Sequence, residues 1–321
     1  MIDLCEIRVP TYRRPQLLRR ALLSIVSQTY SDWTCVVLDD CPDASARSIV
    51  REISDGRIAY LHNSPPLGAT KNIDQSFRSQ PIRGGRYAFV LEDDNYLLPN
   101  HIETAINVLD GNNVRVALCN QFCEEFETPG APGRITATKT LNWMYDEGPY
   151  YPTELLPALL FSQGFSNGSA FWRTDCLSNF QIGDATTRPG IQESLRLLRL
   201  RDRVYVSLEP TAVWRSNDPR ESYVNAPRQT FALWRFLKLR FDRITEGNEK
   251  LRYRSEAMKR VDLANVLDYP KSRKHVAQIE RALLLCGYNV ALTDLPTLRR
   301  LALLLGGYAA RHLLLTKPAV I

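Results

Sequence analysis

Tyr87–Asn100 reads YAFVLEDDNYLLPN. An apolar run, Tyr87–Leu91, meets Glu92, Asp93 and Asp94, and apolar residues return at Tyr96, Leu97 and Leu98. A short continuous apolar run bounded by turn formers is the pattern of a strand covered on both faces. Three adjacent carboxylates at its end repel one another, and nothing local neutralises them. A divalent cation is one answer, since hard oxygen ligands suit Mg²⁺ or Mn²⁺, which bind through one or two carboxylates plus substrate phosphates. The other is a helix cap, with Asp94 or Asn95 capping the segment that follows.

Outward from this stretch the chain repeats one unit. CEIRVPTY (5–12) reads as a strand ending at Pro10, and RPQLLRRALLSIVSQTY (14–30) as a helix with Pro15 at its start. WTCVVLDD (33–40) is a second strand closed by Asp39 and Asp40, followed by a helix in ASARSIVREIS (44–54). RIAYLHN (57–63) is a third strand, and GATKNIDQSFRS (68–79) a third helix starting near Gly68. The quoted run is the fourth strand, PNHIETAINVLD (99–110) the fourth helix and VRVALCNQF (114–122) the fifth strand. Strand and helix alternating over short connections predict an α/β fold, a doubly wound, mostly parallel sheet with helices on both faces. Ligands of such sheets bind beyond the carboxyl ends of the strands. Thr11, Asp39, Asp40 and Glu92–Asp94 all fall on that rim.

After Phe126 the regularity breaks. ETPGAPGR (127–134) reads as a loop, TELLPALLFSQG (153–164) as a helix, NGSAFWR (167–173) as a strand and GIQESLRLLRLRDR (190–203) as a helix. VYVSLEP (204–210) and TAVWRS (211–216) read as two strands. From about residue 223 the pattern is helical, with Arg and Lys between apolar stripes in RQTFALWRFLKLRFDRI (228–244) and TLRRLALLLGGYAARHLLL (297–315). The boundaries drawn are 1–222 for the α/β domain, with halves at 1–125 and 126–222, and 223–321 for the helical region.

Composition narrows the class. With 44% hydrophobic and 24% charged residues the chain is globular, and it is long enough for a sizeable core. Net charge is +6, but about ten more basic than acidic side chains lie from Asn225 onward. That excess suits a membrane surface, a polyanion, another subunit or simply a solvated face; nucleic acid is not an expected partner. The seven cysteines fit no disulfide framework and no paired C-x-x-C zinc site. Several sit in apolar runs, where Cys acts as a small hydrophobe, and a reducing cytoplasm is the expected location. No signal peptide and no membrane-spanning helix are expected.

Two further acidic or basic features stay open on residues alone. Asp39 and Asp40 suit a base N–H or ribose hydroxyls, or a turn in DDCPDAS. The start of the helix in LGATKN, with Lys71, could face an anion, or Lys71 is an ordinary exposed side chain.

VPTYRRPQLLRRALLSIVSQTYSDWTCVVLDD, then LGATKN, then FVLEDDNYLLPNHIE, in this order and spacing, resemble the family 2 glycosyltransferases over about residues 4–215. The resemblance implies a GT-A fold and inverting transfer from a nucleotide-diphosphate sugar to a hydroxyl acceptor such as a glycan or a lipid-linked sugar. Pro10 and Thr11 then match the segment around the nucleotide, Asp39 the residue that contacts the base, and Asn72, with Gly68, the pocket lining. EDD matches the family's D-x-D: Glu92 takes the first position, near the ribose, Asp93 the middle, and Asp94 the last, the metal ligand. Glu92 departs from the Asp usual there. The general base implied is a carboxylate in a Glu-Asp pair at a helix start. Glu193 stands at the Glu position with Ser194 in place of the Asp, and Asp184 in IGDATTRPG is a second candidate. Without the family, Glu193 reads as a first-turn Glu favoured by the helix dipole. Arg215 and Asn217 replace a histidine often found downstream. Two rivals stand beside this reading. A nucleotidyltransferase lacks support because no glycine follows the first strand, whereas a non-catalytic nucleotide-sugar or carbohydrate binder is kept open by Ser194. For the C-terminal helices the expectation is packing on protein, self-association or peripheral contact with the inner face of a membrane.

Overall fold

The structure is a computed structural model, and it describes residues 3–126, 133–141, 145–155, 165–183 and 189–216. The chain divides into two compact units, Met1–Leu155 with Gly164–Tyr223, and Leu156–Gln163 with Val224–Ile321. All described residues belong to the first. The helical region from 223 and Asp184 lie outside them.

Strands β1 (Cys5–Thr11), β2 (Trp33–Asp39), β3 (Ile58–His62) and β4 (Tyr87–Val90) are parallel, with β1 between β2 and β4. Their connections are helices α1 (Pro15–Val26), α2 (Ala46–Ile53) and α3 (Ala69–Gln75). Helix α1 starts at proline, which costs no hydrogen bond in the first turn. It buries Leu18, Ala21, Leu22 and Ile25, the i, i+3, i+4, i+7 stripe that a helix turns toward a sheet. Every residue of β1 and β2 is buried, as a sheet covered on both faces requires. In register, Thr11 pairs with Asp39 and Asp39 with His62, so three strands end level on one rim.

Beyond β4 the sheet departs from the simple pattern. The order is β3-β2-β1-β4-β9-β6-β10-β5, with β7 on β6 and β8 on β10, where β5 is Tyr96–Leu97, β6 Val116–Glu125, β7 Arg134–Lys139, β8 Gly148–Tyr150, β9 Ala170–Arg173 and β10 Val204–Arg215. Strand β9 runs antiparallel between β4 and β6, so the sheet is mostly rather than wholly parallel. The two strands expected over 204–216 are one, β10, whose register against β6 shifts between Ser207 and Ala212. A break at Pro210, which has no N–H to give the ladder, makes a bulged strand look like two. The expected strand over 167–173 opens instead with a 3₁₀ turn, Asn167–Ser169. Helix α4 spans His101–Gly111, α5 Pro152–Leu155 and α6 Pro189–Leu197. The rest of the helix expected over 153–164 lies outside the described residues.

One feature of β1 was hidden in its apolar pattern. Glu6 and Arg8 are fully buried and paired at 2.7 Å. Arg8 also donates to the Ser76 and Arg78 carbonyls, and Glu6 accepts from the Ile82 and Arg83 N–H groups. A buried ion pair is tolerable only when its remaining hydrogen-bonding capacity is used, and here that capacity fastens the chain after α3 to the centre of the sheet.

Candidate functional site

At the end of β4 the chain turns. Leu91 N–H still bonds the Arg8 carbonyl at 3.0 Å, and then Asn95 N–H bonds the Glu92 carbonyl at 3.0 Å, closing a turn over Glu92–Asn95. Chain and turn alternate the carboxylates. Asp93 is buried, and Glu92 and Asp94 on either side are half-buried.

Asp93 points inward. It accepts from Thr11 Oγ1 at 2.7 Å and Tyr12 N–H at 3.3 Å, and Arg14 Nη1 lies at 3.4 Å. Burial, more than the neighbouring charge of Asp94, pushes its carboxyl up to about 7. Asp94 meets Arg14 Nη1 at 2.6 Å, and its carbonyl accepts from Arg20 Nη2 at 2.6 Å. Arg20 also grips Glu124 on β6 at 3.0 Å. Asn95 accepts from Arg215 N–H at 2.9 Å, which pins the turn to the end of β10. Neither Asp94 nor Asn95 caps α4, whose N-cap is Asn100, so the capping alternative for the acidic run is closed.

The carboxylates of β2 are treated differently. Asp39 Oδ1 accepts from Cys41 N–H at 2.9 Å, and Oδ2 accepts from Ala46 N–H at 3.2 Å and Tyr60 OH at 2.8 Å. Asp40 accepts from Asn63 Nδ2 at 3.0 Å, Leu67 N–H at 2.6 Å and Gly68 N–H at 2.8 Å. The anion at the start of α3 is thus the chain's own Asp40. Gly68 adopts φ +84°, a conformation that glycine reaches without strain. Lys71 is exposed. Asn72 is buried, and its amide donates to the Leu38 and Thr11 carbonyls and accepts from Asn63 and Gln75. Pro10 is buried in β1. Thr11, Asn72 and Asp93, expected from the resemblance at the nucleotide, and Asp40, expected there from its strand end, hence engage their polar atoms in holding the rim together.

Glu193, on α6, comes to the same place from the far half of the chain. Burial raises its carboxyl to about 7, against the lowering effect of Arg196 and of a hydrogen bond from the Asn167 backbone. Glu92 is raised to about 8 by burial, then by Asp94 and Glu193. Asn167 Nδ2 donates to Glu92 Oε1 at 2.9 Å, and Arg196 Nη1 donates to Asn167 Oδ1 at 2.5 Å. Sequence reasoning missed Asn167 and Arg196. The signal for Arg196 was a cation three residues after Glu193, a spacing that places the two on one face of a helix. Asn167 gave no signal, because its partners are distant in sequence.

Among the described residues no group of three His, Cys, Asp or Glu side chains is arranged to hold a metal by itself. Asp94, with Glu92 two residues before it, is the donor set at the rim, and it already attracts a cation in the form of Arg14. Such a set fits Mg²⁺ or Mn²⁺ completed by substrate phosphates and water.

Residues 6–166 match the family model described as Glycosyl transferase family 2. A putative colanic acid biosynthesis glycosyl transferase, WcaA of Escherichia coli K12, is 33% identical over 101 residues, 31% of this chain and 35% of that protein. WfgD of Escherichia coli, named a UDP-Glc:alpha-D-GlcNAc-diphosphoundecaprenol beta-1,3-glucosyltransferase, is 30% identical over 142 residues, 43% of this chain and 55% of that protein. The match therefore spans between about a third and about half of these relatives' length. The crystal structure of S. aureus TarS aligns over 89% of this chain and 50% of that one, with a TM-score of 0.50 at 13% identity, a likeness of fold.

Proposed function

Because the chain belongs to glycosyl transferase family 2, we propose that it transfers a sugar, with inversion, from a nucleotide-diphosphate sugar to a hydroxyl acceptor. The observation that carries the reading is the meeting of Glu92 and Asp94, from the end of β4, with Glu193 from α6, on the rim where Asp39 closes β2. Donor and acceptor must approach from different sides of one point, and here acids arrive there from both halves of the domain.

In this reading Asp39 receives the nucleotide, Glu92 faces the donor's ribose and sugar, and Asp94 holds Mg²⁺ or Mn²⁺. The cation, when bound, supplies positive charge to the diphosphate as it departs. Arg14 must release Asp94 for that, and a guanidinium at this rim is suited to pair with a phosphate oxygen. Glu193 takes the acceptor proton. A carboxylate raised to about 7 is matched to that task, since a base poised near the working pH is both ionised and strong enough. Residues 126–222 are assigned the acceptor side. The undecaprenol-linked acceptor in WfgD's name makes a lipid-linked sugar a reasonable first acceptor to try. No helix among the described residues is long and apolar enough to cross a membrane. Peripheral membrane contact and self-association are proposed for the basic region after 223.

The test is a thermal-shift screen of nucleoside diphosphates with and without Mn²⁺, followed by hydrolysis of the matching nucleotide sugars. A bound ligand stabilises by mass action, so the preferred nucleotide should raise the melting temperature, and more so with Mn²⁺. No shift with any nucleotide would overturn the reading.

A further inference from the structure

Asn167 and Arg196 stand where the two acidic sides of the site meet. Asn167 is buried at the start of the 3₁₀ turn. Its Nδ2 donates to Glu92, its Oδ1 accepts from Arg196, and its backbone bonds Glu193. One residue thus touches the donor-side acid, the acceptor-side acid and the buried cation between them. An amide has a donor end and an acceptor end, and only partners of the right sign at both ends fix its orientation. Arg196 supplies the donor at the oxygen end. Without it the amide could turn over and set its oxygen against a Glu92 oxygen, acceptor against acceptor.

Arg196 is itself fully buried. Its Nη2 lies 3.4 Å from Asp74 Oδ1, and its guanidinium stacks 3.8 Å over Phe77. Asp74 is occupied with the Ile182 and Gly183 N–H groups at 2.9 and 3.0 Å. Its contact to Arg196 is longer than a good charge-assisted bond, and Arg196 Nε has no partner among the described residues. A dry guanidinium paired this loosely with its carboxylate is a poor stabiliser, because only close pairing offsets the cost of taking it out of water. Its short bond goes to Asn167, and through Asn167 to both acids.

We propose that Arg196 and Asn167 are positioning residues for the transfer: Arg196 holds the Asn167 amide in one orientation, and Asn167 holds Glu92 toward the donor and Glu193 toward the acceptor. Glu92 gives Oε1 to Asn167, while its Oε2 has only the long 3.4 Å bond from Asn95 Nδ2 to give up to a substrate, and Glu193 is bonded by the Asn167 backbone. The assignment rests on the reading of Glu193 as the base.

The experiment measures Mn²⁺-dependent hydrolysis of UDP-glucose, UDP-N-acetylglucosamine and GDP-mannose by the full chain, with calorimetric binding of UDP and GDP. Wild type is compared with Asn167→Ala, Arg196→Met and the double variant. For the donor that wild type turns over, each single variant should lose about 10²-fold in kcat, the scale of a small misplacement of reacting groups. Donor KM and nucleotide affinity should change by less than about 3-fold, and the double variant should be no slower than the slower single one. Unchanged kcat, or kcat and KM failing together in step with a lost fold, would overturn the proposal. If Arg196→Met does not fold, Asn167→Ala decides, because it leaves the Arg196–Asp74 contact in place. A wild-type chain that turns over none of the donors overturns the functional reading and this assignment with it; an active wild type with unaffected variants overturns this assignment alone.

Discussion

Two acidic strand ends share one rim of this sheet, and they are neutralised in opposite ways. At the end of β2, Asp39 and Asp40 each accept three hydrogen bonds, mostly from backbone N–H groups. At the end of β4 and the facing helix α6, Glu92 and Glu193 share Asn167 and the buried Arg196, and both carboxyls are pushed well up. A carboxylate that accepts from fixed N–H groups is held in place, whereas one raised by burial beside another acid has a proton to trade near neutral pH. The contrast assigns binding and scaffolding to the first pair, and chemistry to the second.

The strongest way to break that division is Glu193→Gln. It keeps size and removes the charge, and it should slow transfer by about 10² to 10⁴ with nucleotide affinity nearly unchanged. The groups facing Glu193 are Glu92 across the site, Arg196 on its own helix and the Asn167 backbone. Its carboxyl is raised to about 7, and the base must be ionised to act, so the wild-type rate should fall about tenfold per unit below that pH. Stability should run the other way. A carboxyl that titrates higher when folded binds its proton more tightly in the folded state. Its contribution therefore favours the fold at acid pH and is lost as pH rises from the ordinary Glu range through about 7. Glu193→Gln should flatten both profiles. A rate profile that keeps its acid limb in this variant would move the base elsewhere, and Asp184→Asn is then the variant to measure.

Asp94→Ala comes next. Losing the carboxylate that meets Arg14 should cost about 10² to 10³ in transfer, the scale of removing one group that stabilises charge in the transition state. It should also abolish the Mn²⁺ dependence of nucleotide binding, which calorimetry with EDTA and with Mn²⁺ reads directly. Retention of that dependence would place the cation on other residues.

Asp39→Asn is smaller, and it acts on binding as well as on stability, since either Cys41 N–H or Ala46 N–H then faces the new NH₂. Nucleotide affinity should fall by about 1 to 3 kcal/mol, the loss expected for a hydrogen bond to a charged group. Asparagine is preferred to alanine because Asp39 also accepts from Cys41, Ala46 and Tyr60, and truncation would confuse lost stability with lost binding. An unchanged dissociation constant would return Asp39 to the scaffold.

The same contrast marks how far the residues alone could be read. The first half was legible because β1–β4 are short apolar runs and α1 carries a clear helical stripe, so period and punctuation agree. Strand β5 has two residues and β8 three, too short for any period to show, and β7 is largely exposed, so no apolar alternation marks it. That β9 runs antiparallel between β4 and β6 is a tertiary fact, set by pairing between residues some eighty apart. In the site, the acidic cluster and Asp39 could be found from strand ends. Which carboxylates face inward could not, because that depends on the turn over Glu92–Asn95 and on donors such as Thr11, Leu67 and Gly68 that sequence does not aim.

The smallest functional effect is expected at Asp40, and it tests the scaffold side of the comparison. Its carboxylate ties the end of β2 to the start of α3, taking the Leu67 and Gly68 N–H groups and the Asn63 amide. Asp40 is buried, so a donor left without an acceptor there loses water as well as its partner. Asp40→Asn offers one oxygen and one NH₂ where two oxygens stood, so at least one N–H must face another N–H. The expected cost is about 1 to 3 kcal/mol of stability, the penalty for one unsatisfied buried polar group. Nucleotide affinity should stay within about threefold of wild type, because both oxygens of Asp40 are engaged in tying the end of β2 to the loop before α3. Chemical denaturation and UDP or GDP calorimetry on the same preparation separate the two quantities. If affinity falls as far as in Asp39→Asn while stability holds, Asp40 is a ligand-binding residue, and the line drawn between the two strand ends has to be redrawn inside β2.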